Sequence, residues 1–149
     1  MALRYRTTAR IAAPADTVWD VLTDVERMPE WTPSMTRVRL VDEDRLELGT
    51  AVEVRQPRMP RMTWIVDELT PGRHFRWSAV SGGTVTHGEH WLAPRPDGRQ
   101  VDVTLEIRHA GPRARLVGAL TMRRTARYVE MEMQGLKAAS EAAAAGLER

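Results

Sequence analysis

The sequence predicts an α+β fold: a seven-stranded antiparallel curved sheet wrapped around one long C-terminal helix, with two short helices after the first strand. Ile11 to Val38 joins a strand end, a helix start and a helix stop in one short run. From Met35 to Ile107, apolar and polar residues alternate in segments divided by Pro- and Gly-containing turns, the period-two pattern of half-buried strands. From Arg113 to about Ala145 there is no proline and much Ala, Met, Glu and Arg, which makes one long helix.

Each element has a local reason. Leu3 to Ile11 reads as the first strand. Pro14 suits a helix start, because its φ is already helical and its missing N–H would be unpaired there. Val18, Trp19, Leu22 and Val25 then form the apolar stripe of a short amphipathic helix, and Pro29 ends that pattern. Val38 and Leu40 alternate with Arg37 and Arg39, and Val52 and Val54 with Glu53 and Arg55. Pro57 to Pro60 breaks the alternation, which resumes over Met62 to Leu69. Pro71-Gly72 turns the chain into His74 to Val80, where Phe75 and Trp77 share a face, and Ser81 to Gly83 turns it into Thr84 to Leu92. Pro96-Asp97-Gly98 is a hairpin signal before the clean alternation of Val101, Val103, Leu105 and Ile107, which Gly111-Pro112 stops. No repeat or linker divides the chain, so residues 1–149 are expected to form a single domain. Only the last helix is long enough to cover the sheet, and a helix cannot fill a strongly curved surface, so a cavity of several hundred Å³ is expected between the sheet and residues 117–139.

Composition excludes several function classes. The chain has 149 residues, with 42% apolar and 28% charged, and folds large enough to bury roughly two thirds of its unfolded surface. Cysteine is absent, which removes disulfides and thiolate metal sites. No apolar run approaches the ~20 residues of a membrane span, and the N-terminus lacks a signal-peptide core, so a cytoplasmic location is expected. The net charge is only +2, and the basic residues are 21 arginines against the single Lys137, the usage of a GC-rich genome. The basic run Arg113 to Arg127 reads as a solvated helix face rather than a nucleic-acid surface. His74, His87, His90 and His109 lack ligand spacing on a common element, and there is no phosphate loop or serine elbow. No metal and no cofactor is expected.

The run IAAPADTVWDVLTDVERMPEW resembles the opening of START-like proteins, the polyketide cyclase/dehydrase and lipid-transport (SRPBCC) superfamily with the helix-grip fold, through Val18, Trp19, Leu22, Asp24 and Trp31. Leu92-Ala93-Pro94, Asp97-Gly98 and Val101 to Thr104 are similar to its last hairpin, and Gly135-Leu136-Lys137 to its final helix. The resemblance implies a small hydrophobic or aromatic partner and a pocket mouth near Trp31. It does not choose among the cyclases, lipid carriers, receptors and chaperone activators built on this scaffold.

Steps of 100° along the last helix place Arg123, Arg127, Glu130, Lys137 and Glu141 on one side. Thr121, Thr125, Tyr128, Glu132 and Leu136 lie on the other, flanked by Val117, Val129 and Met133. Polar groups on that inward line point to a partly polar cavity. The candidate ligand-binding residues are Trp31, Val52, Val54, Met59, Trp77, Leu105, Thr121, Thr125 and Tyr128. On the strand after Gly83, His90 and Leu92 are expected to point inward and Trp91 outward. His90, Tyr128 and Glu132 are the candidate proton-transfer groups, since a histidine or carboxyl in an apolar cavity suits acid–base work. Three readings follow: a binding protein or carrier for an apolar or aromatic molecule, a polyketide cyclase/dehydratase, and an interaction protein or chaperone co-factor acting through its surface. The chain is expected to be a monomer or a homodimer.

Overall fold

The structure is a computed structural model that describes residues 3–147. The chain runs β1 (Arg4–Ile11), α1 (Ala15–Thr23), a 3-10 turn (Val25–Arg27), α2 (Met28–Trp31), β2 (Arg37–Leu40), β3 (Ala51–Arg55), β4 (Met62–Thr70), β5 (His74–Ser81), β6 (Thr84–Pro94), β7 (Val101–Ala110) and α3 (Ala114–Leu147). All seven strands form one antiparallel sheet in the order β1-β7-β6-β5-β4-β3-β2, so the first strand closes against the last and β2 lies at the far edge. This is the α+β helix-grip architecture, with its small helices after β1.

One local reading changes. Pro29 opens α2 as one of its first residues instead of ending a helix. The break comes earlier, at Asp24 (φ −80°, ψ 66°), directly after Thr23 turns its hydroxyl back to the Trp19 carbonyl. β7 runs to Ala110, directly before the Gly111-Pro112 stop read from the sequence.

Alternation sorts the sheet's two faces. Phe75, Trp77, Ala79, Leu92, Val101, Val103 and Leu105 are buried on the concave side. The convex side is laced by cross-strand ion pairs: Arg10–Asp102 at 2.9 Å, Arg6–Glu106 at 2.7 Å, Arg39–Glu53 at 2.6 Å and Arg76–Asp67 at 2.8 Å. The planar guanidinium suits these pairs, so much of the arginine content has a structural use on the outside of the sheet.

The second half of α3 buries Val129, Met133, Leu136 and Ser140. Its flank, read from the sequence as solvent-facing, is instead tied to the edge strand. The Tyr5 hydroxyl donates to Glu130 (2.6 Å), Lys137 donates to the Arg10 carbonyl (3.2 Å), and the Ala12 N–H donates to Glu141 (2.8 Å). The reason is that β1 lies alongside the helix, so one flank of α3 meets strand rather than water.

Gly135 lets α2 seat against α3, since any Cβ there would collide with the Trp31 carbonyl. Overpacking against backbone costs about 1–3 kcal/mol, which outweighs the ~1 kcal/mol of helix propensity that alanine brings. Gly135→Ala should therefore lower the urea midpoint, whereas Gly146→Ala, with nothing within 4 Å of its added methyl, should leave it equal or raise it. Equal midpoints for both variants would show that the α2–α3 contact yields freely.

Candidate ligand-binding cavity

Strand register builds the aromatic wall. Trp77 on β5 pairs with Gly88 on β6, and a Cβ on Gly88 would lie 2.7 Å from the Trp77 indole nitrogen. The absent side chain lets the indole lie across β6. Trp64 packs on Trp77 with centroids 5.8 Å apart, and Phe75 meets Trp77 edge-on at 5.5 Å. In front of this wall, under the first half of α3, is a mainly apolar cavity of about 210 Å³. An apolar cavity of about 150 Å³ holds benzene, so this one has room for roughly two fused rings. It is smaller than the several hundred Å³ expected from the sequence, because two indoles occupy its wall.

Val54, Met59, Trp77, Leu105, Thr121, Thr125, Tyr128, His90 and Glu132 all line the cavity. Val52 and Trp31 do not. Val52 is fully buried in the core, and its cross-strand partner Trp64 takes the lining position. Trp31 follows α2 onto the outer flank of α3, where it borders a shallow groove with Pro33, Arg127 and Gln134.

One end of the cavity is the pair His90 and Glu132. The His90 ring stacks on Phe75 (4.0 Å) and its Nδ1 lies 3.2 Å from the Phe75 carbonyl oxygen. A carbonyl only accepts, so Nδ1 carries the hydrogen and Nε2 faces inward. Nε2 is 3.7 Å from Glu132 Oε1, and that buried oxygen has no hydrogen-bond partner. The separation is too long for a hydrogen bond.

Tyr128 lines the cavity with its ring but spends its hydroxyl elsewhere, donating to the Pro57 carbonyl. Arg124 donates to the next carbonyl, that of Arg58, at 3.0 Å. Arg58 is in the left-handed region (φ 62°), an uncommon conformation for a residue with a side chain. Two bonds therefore latch the β3–β4 loop to α3 at the cavity's edge. The Tyr128 proton is committed to that latch, whereas His90 Nε2 and Glu132 Oε1 make no hydrogen bond.

The cavity's other polar lining was not legible as a site. Thr84, Thr86 and His109 all face in. Extending the Val101–Ile107 alternation by two residues places His109 on the inner face, and this was the signal available. Outside, Trp91 stacks on His74 (5.3 Å) with the Arg6 guanidinium over its ring, and His87 bonds Ser78 at 2.6 Å. Glu68, His74 and Glu89 bring ligand atoms within 4.8 Å of one another on that convex face. They are engaged already, Glu89 with His74 at 2.7 Å and Glu68 with Arg76 at 3.5 Å. Cross-strand grouping of this kind escapes a search for ligands spaced along one element.

A family model described as polyketide cyclase/dehydrase and lipid transport matches residues 2–141. The chain belongs to this family. Among solved structures, the chain resembles TTHA0849 from Thermus thermophilus (18% identity, 94% of this chain and 98% of that one, TM-score 0.73). It also resembles the Zhui aromatase/cyclase from Streptomyces sp. R1128 (20%, 98% and 95%, 0.68). A third similar structure is the di-domain aromatase/cyclase StfQ of the steffimycin biosynthetic pathway (14%, 96% and 52%, 0.75). At these identities the likeness establishes the shared fold. No protein with a curated description matches the sequence.

Burial pushes the His109 imidazole below its ordinary value, and burial followed by the Arg108 and Arg76 charges does the same to His87. Both folded values lie below the unfolded value of about 6.5, so the unfolded chain binds more protons over the interval between them. The stability these neutral rings contribute is complete above about pH 6.5 and falls as pH drops toward the folded values. Urea titrations at pH 7.5 and 5.5 should give a lower midpoint at 5.5, with a smaller loss in His109→Asn. A loss of equal size in that variant would remove His109 from the account.

Proposed function

We propose that the protein binds a flat aromatic or ring-forming small molecule of about two rings in the cavity between the sheet and α3, as a carrier or a polyketide cyclase-like protein. The observation that carries this reading is a mainly apolar cavity walled by Trp64 and Trp77 with the polar pair His90 and Glu132 at one end. Family membership supports it. Stacking against the indoles supplies affinity, and the polar pair orients an oxygen-bearing end of the ligand.

A second reading, cyclase or dehydratase chemistry, is favoured by the unpartnered Glu132 oxygen beside His90 Nε2. Holding a flexible poly-carbonyl chain in one folded conformer lowers the barrier to ring closure by orientation alone. Removal of a proton from carbon next to a carbonyl, and protonation of a departing hydroxyl, require a base and an acid at one place. His90 and Glu132, adjacent at one end of the cavity, supply such a pair.

Titration with 2-naphthol should quench tryptophan emission. Trp77→Leu should remove most of the quench, and Trp91→Leu, on the outer face, should leave it nearly intact. Absence of binding, or dependence on Trp91 instead, would overturn the cavity reading. Turnover of a linear poly-β-ketone thioester then separates the two roles. Acid–base catalysis predicts a loss of roughly 10²–10⁴-fold in Glu132→Gln and His90→Gln at nearly unchanged 2-naphthol affinity. A carrier shows no turnover to lose.

A further inference from the structure

His109 and Thr84 lie where the cavity turns away from the His90–Glu132 pair. His109 is 7% exposed and Thr84 is 3% exposed, and both line the cavity. The His109 Nδ1 is bonded to the Thr86 hydroxyl at 2.9 Å, but its Nε2 has no partner, and neither has the Thr84 hydroxyl. A buried donor or acceptor left unpaired costs about 1–3 kcal/mol, so a ligand that bonds to either group gains that much in affinity.

Strand register gives the backbone separation between His90 and His109, with Thr84 one inward position further along β6. His90 and Thr86 are four residues apart on the inner face of β6, and their partners on β7 are Leu105 and His109. Four residues of strand span about 13 Å. A hydrogen bond of about 3 Å at each end leaves roughly 7 Å between the ligand's own polar atoms, on the scale of a fused two-ring body.

We infer that His109 and Thr84 form a second polar subsite, so that the ligand is a flat apolar body carrying a hydroxyl or carbonyl oxygen at both ends. The inference rests on the cavity-binding reading above and narrows its ligand class. The partner chemistry follows from the groups present. Burial keeps the His109 ring neutral, and its Nε2 then either donates or accepts, depending on which way the bond to Thr86 runs. Thr84 does both. A phenolic or enolic hydroxyl satisfies either arrangement, and a carbonyl oxygen satisfies the arrangement in which Thr86 donates to Nδ1. Of the lining groups at this end, Ser81, Thr84, Thr86 and His109, only the histidine titrates, and burial disfavours the cationic ring that a carboxylate or phosphate would need.

Two probes of matched size test this: 2,6-dihydroxynaphthalene, and 6-methyl-2-naphthol, in which a methyl replaces the second hydroxyl. Their dissociation constants are measured by calorimetry on the wild type, Thr84→Val and His109→Leu. In the wild type, the dihydroxy compound should bind roughly three- to tenfold tighter. In His109→Leu the preference should vanish or reverse, and in the near-isosteric Thr84→Val it should shrink, while 6-methyl-2-naphthol keeps its affinity within a few-fold. Equal binding of the two probes by the wild type, or a preference that survives both substitutions, would overturn the subsite while leaving the cavity reading intact. Failure of both probes to bind would instead defeat the cavity reading.

Discussion

α3 is docked on the sheet along only part of its length, and the cavity exists because of that. Its second half is clamped to β1 by Tyr5–Glu130, Lys137–Arg10 and Ala12–Glu141, and seated on α2 through Gly135. Its first half begins at the Arg113 N–H bond to the Gly83 carbonyl and is latched to the β3–β4 loop through Tyr128 and Arg124. Gly111, at φ 101°, brings the end of β7 against that same Gly83 carbonyl, a geometry that a side chain would block. Between the Arg113 anchor and the clamp, the helix bridges the concavity without filling it.

The polarity of the two sheet faces follows from this arrangement. Outside, charged side chains pair across strands in partly solvated positions, where each pair contributes little and is tolerated easily. Inside, the helix shields the first half of the cavity from water, so each polar group there carries a desolvation cost. The described interior nevertheless holds unpartnered side-chain atoms on Glu132, His109, Thr84 and Ser140, and the first three residues line the cavity. A ligand that supplies their missing bonds would turn that cost into affinity and orientation, in a pocket whose walls are otherwise aromatic and aliphatic.

The fold could be read from the sequence because each of its signals is local. Period-two strands, the Pro14 start and the proline-free final helix need only neighbours a few residues away. The inner face of α3 from Thr121 to Glu132 was legible for the same reason, since it follows from helical periodicity. What depended on tertiary packing was not. The flank of α3 carrying Glu130, Lys137 and Glu141 meets β1, which is distant in sequence, and Trp31 goes to the outside because Gly135 opens a seat for α2. Trp64 displaces Val52 from the lining through register alone. The size of the cavity escaped prediction too, because the rings of Trp64 and Trp77 share one wall only once β4 and β5 are paired.

The most direct test of the account is a crystal structure of the protein with 2-naphthol bound. The account predicts naphthalene density beside Trp77 and under Thr121–Tyr128, with the hydroxyl at either polar end, within hydrogen-bond distance of the His90–Glu132 pair or of His109 and Thr84. Density confined to the groove beside Trp31, or a cavity closed by movement of α3 onto the sheet, would contradict it.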